Sequence, residues 1–430
     1  MRWLLLLLVG CGRIGFDPLG GAIDPTGDGR SDLPRLDAPM VACTPSTEVC
    51  GNLIDDNCNG VVDEGCPCTP FSITIGQPAG TLDFPPTYWD GMRYHVLWQS
   101  GTSLVVSSYD AAGTAGPPVT LGLTGTYSAS ATTHGLYVDP SGMIVAVLFK
   151  KQPMQMPNSM ELVRFDSSGT QLGVPIQLSA SGANAFAPQI LPSPTGFVVM
   201  WTDTHAGGVS EAYLASFSLA GARLAPDLTI SDGHAAVGTA RLIAVPYGYA
   251  VFWQDYHGPS DIHFHLARIE LATSAVVRAD VAMTDRPANN PDVAWMDGAF
   301  AVTWTETPTS GVTIQFRRLD WGFAELGRSA TDPAQQLDGC NVAWQGTKLA
   351  VLRTNHMATS ANASTLIFYY TQLGPDGSEL VSPEALNMTT AQSISWGSAA
   401  MFADGTRGGV SFMFGSSVIA TQVYLYQRCF

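Results

Sequence analysis

One pattern constrains the fold more than any other: a glycine, a run of apolar residues, a tryptophan, and a polar residue just beyond it. Its clearest copies are Gly196-Phe-Val-Val-Met-Trp201-Thr-Asp203, Gly248-Tyr-Ala-Val-Phe-Trp253-Gln-Asp255 and Gly298-Ala-Phe-Ala-Val-Thr-Trp304-Thr-Glu306, with Tyr94-His-Val-Leu-Trp98-Gln as a fourth. Looser copies are Gly142-Met-Ile-Val-Ala-Val-Leu148, Gly346-Thr-Lys-Leu-Ala-Val-Leu352 and Gly409-Val-Ser-Phe412. The anchors recur about every 50 residues, a period that means a stacked array of like units. Each run is apolar on both faces, as for a strand sandwiched between neighbouring sheets.

The rest of each unit completes the reading. A Pro-x-x segment precedes the Gly turn (Pro188-Gln-Ile190, Pro291-Asp-Val293), and a second strand follows, ending in an Asp/Gly turn such as Asp166-Ser-Ser-Gly169 or Asp376-Gly377. A short outer strand, such as Pro175-Ile176-Gln-Leu178, makes four strands per unit, which resembles the blade of a β-propeller. The expected fold is all-β: a seven-bladed propeller over 70–430, with no helix, since no sustained 3.6-residue periodicity occurs. The last unit ends without an outer strand, and Phe71-Ser-Ile73-Thr-Ile75 precedes the first. Pairing that segment with the last blade would close the ring and remove its open edges.

Charge excludes one class of partner. The net charge is −16 and only 13% of residues are charged. No basic run occurs, so nucleic acid, whose phosphates need clustered Lys and Arg, is excluded.

Residues 1–11 read as an export signal. Met1-Arg2 is a positive start, Trp3 to Val9 is apolar, and Leu8-Val9-Gly10-Cys11 resembles the bacterial lipobox, in which the Cys is diacylated. The apolar run falls short of the roughly 20 residues that span a bilayer. Acylated Cys11 would anchor the chain stably, each buried methylene contributing about 0.8 kcal/mol. With Gly12 next, the resemblance implies the bacterial outer membrane or cell surface. Residues 12–42, rich in Gly and Pro, read as a flexible tether.

Residues 43–69 are a small Cys-rich module. Five of the chain's eight cysteines, Cys43, Cys50, Cys58, Cys66 and Cys68, fall here, and Cys340 and Cys429 lie in the repeat region. After export these seven should be largely paired, with one left free or bridging to another chain. Cys340 and Cys429 suit an inter-blade or closure disulfide. Asp55-Asp-Asn57-Cys-Asn59-Gly60 matches the first half of an EF-hand-type loop. Asp55, Asn57 and Asn59 alternate inward, the turn falls at Gly60, and Val61 offers its carbonyl. Cys66 stands where the bidentate Glu belongs, so Asp63 or Glu64 must supply that carboxylate. Oxygen donors of this kind favour Ca²⁺. The segment Thr47-Glu-Val-Cys50 to Glu64-Gly65 resembles the metal-binding-type motif repeated in exported delta-proteobacterial proteins. It is similar to the repeats of a methanotroph surface protein known for binding copper, although the module lacks the soft ligands copper prefers.

A second metal candidate is Asp255-Tyr-His257-Gly-Pro-Ser-Asp261-Ile-His263-Phe-His265. On a strand, His263 and His265 face the same way, although paired strand histidines are more often packed or exposed side chains. Neither a G-x-S-x-G turn nor a recognisable Ser or Cys triad occurs. The expectation is therefore a lipid-anchored surface protein whose propeller is a platform for an extracellular protein or glycan, with Ca²⁺ ordering the module. The alternative is a propeller hydrolase or lyase acting on extracellular polysaccharide. For that role Asp203, Asp255 and Glu306, each two residues past a tryptophan, recur in phase along one rim.

Overall fold

The computed structural model describes residues 46–47, 71–76 and, apart from short connecting segments, 86–429. Cys11, the tether 12–42, and the module positions Cys43, Cys50, Asp55, Asn57, Cys58, Asn59, Val61, Asp63, Glu64, Cys66 and Cys68 lie outside the described residues.

Every regular element described is a strand, and the strands form seven four-stranded antiparallel sheets. The chain starts with β1 (Phe71–Gly76) and then builds the first sheet from β2 (Thr87–Trp89), β3 (Arg93–Ser100), β4 (Ser103–Asp110) and β5 (Val119–Thr120). The second holds β6 (Gly135–Val138), β7 (Ile144–Lys150), β8 (Ser159–Phe165) and β9 (Ile176–Gln177). The third holds β10 (Phe186–Ser193), β11 (Gly196–Asp203), β12 (Glu211–Ser218) and β13 (Leu228–Thr229). The fourth holds β14 (Ala236–Val245), β15 (Gly248–Gly258), β16 (Asp261–Glu270) and β17 (Ala275–Thr284). The fifth holds β18 (Ala288–Met296), β19 (Ala299–Glu306), β20 (Thr313–Asp320) and β21 (Glu325–Ala330). The sixth holds β22 (Asp338–Trp344), β23 (Leu349–Ser360), β24 (Ala363–Leu373) and β25 (Glu379–Ala385). The last has β26 (Trp396–Ala403), β27 (Arg407–Gly415) and β28 (Gln422–Cys429), and its fourth strand is β1.

That borrowed strand joins the two ends of the array. Ile73 pairs with Leu425 and Phe71 with Gln427. Gln427, fully buried, accepts from Tyr94 Oη at 2.5 Å and donates to the Ala111 carbonyl at 2.7 Å. Leu425 packs with Trp89, Tyr94 and Tyr109 of the first sheet. The seventh sheet thus meets the first, and the row of sheets becomes a ring.

Burial follows the repeat. Every residue of β11 is buried, and so are all of β7 and β19 but the last in each. Trp201, Trp253 and Trp304 are core residues, and Trp98 is half-buried, donating to Ser107 Oγ at 2.9 Å. The apolar clusters bridge adjacent sheets, as with Phe252, Phe264, Trp304 and Val302 between the fourth and fifth. Each such buried side chain contributes about 1.5–3 kcal/mol.

The first strands of neighbouring sheets touch around the hub and are stapled there by polar side chains. Gln189 on β10 spans to β14, donating to the Ala240 carbonyl at 2.7 Å and accepting from Leu242 N at 2.9 Å. Asp292 on β18 accepts from Val342 N of β22 at 2.9 Å, and Arg241 of β14 lies 3.1 Å from it on the other side.

One end of the ring is made of tight turns. Asp110, Asp139, Asp166 and Asp320 each turn a carboxyl oxygen back onto amides two to four residues ahead. Gly169 in one of these turns has φ of 86°, and a Cβ there would meet the Thr120 carbonyl of the neighbouring sheet at 2.2 Å. The longer connections lie at the opposite end, where β11 and β19 finish; β15 also finishes there but passes into β16 over two residues.

Candidate functional site

At that opposite end the repeat places an acid two residues beyond each tryptophan. In the third sheet the acid is tied to the core: Trp201 Nε1 donates to Asp203 Oδ2 at 3.0 Å. In the fifth sheet Trp304 Nε1 donates to Glu306 Oε1 at 2.9 Å. The in-phase acids therefore do share one end, but Asp203 and Glu306 serve their own sheets and form no catalytic pair with each other.

The fourth sheet breaks the rule. Trp253 Nε1 is buried with no hydrogen-bond partner, and Asp255 turns to histidines instead. Pairing registers set this up. Trp201 of β11 lies opposite Tyr213, and Trp253 of β15 lies opposite His265. Both partners stack on their tryptophan, at 5.7 Å and 5.2 Å between ring centroids. Tyr213 turns its hydroxyl to Glu211 at 2.8 Å, whereas His265 brings Nε2 to 2.9 Å from Asp255 Oδ2 and donates no aligned hydrogen bond there. Its other nitrogen, Nδ1, bonds Asp280 Oδ1 of β17 at 2.9 Å.

His263 and His265 share a side of β16, as alternation on a strand requires, with ring centroids 6.1 Å apart. His257, at the end of β15, stacks on His263 at 4.1 Å and brings Nε2 to 3.3 Å from Asp255 Oδ1. His263 Nε2 bonds Asp261 Oδ1 at 3.0 Å. Tyr256 lies on the other face of the sheet, as alternation from Asp255 and His257 requires; there Gln254 Nε2 donates to its hydroxyl at 2.5 Å and its ring lies over Gly238. Burial alone would lower the His265 pKa; the facing carboxylates of Asp255 and Asp280 outweigh it and hold the pKa above its ordinary value. Nearby, burial pushes the Asp232 carboxyl up, and its contacts with His234 and the field of His265 more than offset this, leaving it low.

Asp255, His263 and His265 each offer a ligand atom within 4.8 Å of the others. The sequence marked the two histidines and Asp255, but not Asp280. Only the β16–β17 register, interrupted by a bulge at Phe264–His265, brings Asp280 opposite His265. Cys340 falls on β22 opposite Arg353, and Cys429 on β28 opposite Arg407.

A second constellation escaped the sequence altogether. At the tight-turn end, His95 bonds Ser108 Oγ through Nδ1 at 2.8 Å and Asp90 Oδ2 through Nε2 at 2.6 Å. The residue types are those of a nucleophilic triad, with the two nitrogens in exchanged roles. His95 is buried, and Asp90 also caps the Met92 and Arg93 amides at 2.7 Å each. The three residues lock the β2–β3 turn onto β4.

No family model and no curated protein matches this sequence. Solved structures do match, at the level of fold. A structure titled as the ulvan lyase of a new polysaccharide lyase family is 9% identical with a TM-score of 0.54, covering 83% of this chain and 94% of that one. The polysaccharide lyase Uly1 is 8% identical with a TM-score of 0.53, covering 81% of this chain and 90% of that one. At such identities the likeness is one of all-β, propeller-type architecture.

Proposed function

We propose that the protein is a seven-bladed propeller enzyme that cleaves extracellular polysaccharide at the histidine-lined edge of the fourth sheet. The observation that carries this reading is the gathering of His257, His263 and His265 around the buried carboxylate of Asp255, at the end of the ring where the longer connections lie. The architecture shared with two polysaccharide lyases supports it as an analogy of fold, and fold by itself does not fix chemistry.

The donor set favours elimination over hydrolysis. Glycoside hydrolysis commonly uses two carboxyls, one on each side of the scissile bond. Here Asp255, Asp261 and Asp280 are each engaged with an imidazole. Imidazole groups suit proton transfer. In an elimination on a uronic acid unit, a base takes the C5 proton and its electron pair forms the C4–C5 double bond. The C4–O bond then breaks, and the departing oxygen takes up a proton.

The proposal extends to the cell. Acylated Cys11 would hold the chain at the bacterial outer membrane, and the 43–69 module, stapled by disulfides, would bind Ca²⁺ through Asp55, Asn57, Asn59, the Val61 carbonyl, Asp63 and Glu64. Cys340 and Cys429 would bridge neighbouring blades.

The test is depolymerisation of a panel of uronic-acid and neutral polysaccharides by the full chain. Elimination yields an ultraviolet-absorbing unsaturated end, while hydrolysis yields reducing ends without that absorbance. His257→Ala should abolish cleavage with the circular dichroism spectrum unchanged. Saturable glycan binding with no cleavage would return the ring to the role of a recognition platform.

A further inference from the structure

We infer that Asp255, His263 and His265 form a binding site for one divalent transition-metal ion of the zinc class, set into the edge of the fourth sheet. Two imidazoles and one carboxylate are a donor set for borderline ions and not for calcium, which takes oxygen ligands.

The local geometry already has the layout of a metal site. His265 turns Nδ1 to Asp280 Oδ1, which leaves Nε2 facing Asp255. His263 commits Nε2 to Asp261, which leaves Nδ1 for the ion. Both histidines thus have a carboxylate behind the ring, the arrangement that fixes tautomer and orientation in metal-ligating histidines. The three ligand atoms lie within 4.8 Å of one another, and small side-chain rotations bring them to the bond lengths of about 2.0–2.2 Å that zinc requires.

An independent observation points to a missing ligand. Asp255 is only 4% exposed, yet its Oδ1 has no aligned donor, and His265 Nε2, paired by charge with Asp255 Oδ2 at 2.9 Å, makes no aligned hydrogen bond. Asp255 has also left Trp253 Nε1 without a partner, although the equivalent acids of the third and fifth sheets accept that hydrogen bond. Three buried polar atoms without an aligned hydrogen bond at one point run against the general rule that such atoms are hydrogen-bonded. A cation answers two of them at once, by accepting the Asp255 oxygen and the His265 nitrogen as ligands. His257, 3.3 Å from Asp255 Oδ1, stands ready as a further donor.

The site shares residues with the proposed catalytic edge, but its test reads metal and not cleavage, so either reading can fail alone. Metal-stripped full-length protein is titrated with Zn²⁺ by calorimetry, and Co²⁺ is added separately to follow its visible absorption and the fluorescence of Trp253. Wild type should bind one more Zn²⁺ than His263→Ala/His265→Ala, a difference that cancels any ion held by residues 43–69. The single change His263→Gln, at a half-exposed position that leaves the core intact, should weaken that site at least tenfold, the scale of ligand-shell losses. Co²⁺ should give imidazole-ligated absorption bands and quench Trp253 in wild type but not in the double variant. Equal Zn²⁺ stoichiometry in folded wild type and variants, with Co²⁺ spectra unchanged between them, would overturn the inference.

Discussion

The third and fourth sheets carry the same strand, the same tryptophan and the same acid two residues on, and they use that acid differently. In the third, Asp203 accepts the indole N–H of Trp201 and Tyr213 covers the ring. In the fourth, His265 occupies the place of Tyr213, and Asp255 abandons Trp253 for the histidines. With one residue changed on the facing strand, the carboxylate leaves the indole and faces imidazoles. The difference also shows what the repeat tolerates. The buried strand and its tryptophan persist in both sheets, while the polar end of the unit is open to new chemistry.

The largest effect tests the part the two sheets share. Trp201→Ala and Trp253→Ala should each cost about 3–5 kcal/mol, the usual range for emptying a buried aromatic site, as read by urea denaturation. A loss below about 1 kcal/mol at either position would mean that the tryptophans do not hold their sheets.

Next, Asp203→Ala should cost about 1–3 kcal/mol, because it strands the Trp201 indole in the core. Trp253 is already stranded, so Asp255→Ala should not add an indole penalty of that kind. Its damage should appear as a change in metal binding and in the titration of His265.

The sharpest swap is His265→Tyr, which rebuilds the third-sheet arrangement within the fourth. Asp255 should then turn to Trp253 Nε1, stability should rise by about 1 kcal/mol, and polysaccharide cleavage should disappear. Unchanged cleavage in this variant would detach function from the histidine cluster.

The smallest effect lies at the tight-turn end, where a His–Asp pair holds the β2–β3 turn. Burial alone would raise the Asp90 carboxyl, but the His95 hydrogen bond and charge, with the Met92 and Arg93 amides, hold it below its ordinary value. A carboxyl held low in the folded chain adds stability above its unfolded value and loses it as pH falls through the lower folded value. Below about pH 4 wild type should therefore lose stability more steeply than Asp90→Asn. Parallel pH profiles would remove that account of the turn.

Much of the fold was legible because its signals are local. The Gly-led tryptophan strands, the Asp/Gly turns and the short outer strands each announce themselves within a dozen residues, and the sheets assemble as those units imply. Even the orphan segment at Phe71 could be assigned, because the last unit lacked a strand. The candidate site was half legible. His263 and His265 stand out by spacing alone, and Asp255 by its phase in the repeat. Asp280 and the loss of the Trp253 hydrogen bond depend on strand register and on a bulge, which are products of packing across the sheet. Ser108, His95 and Asp90 were invisible for the same reason, since the β3–β4 pairing brings Ser108 to His95.

The most direct measurement is a crystal structure of the full-length protein soaked in Zn²⁺, with anomalous difference maps at the zinc edge. The account expects a peak bonded to Asp255, His263 and His265, with Trp253 Nε1 still without its carboxylate. An empty cluster, with Asp255 turned onto Trp253 as Asp203 is onto Trp201, would contradict it.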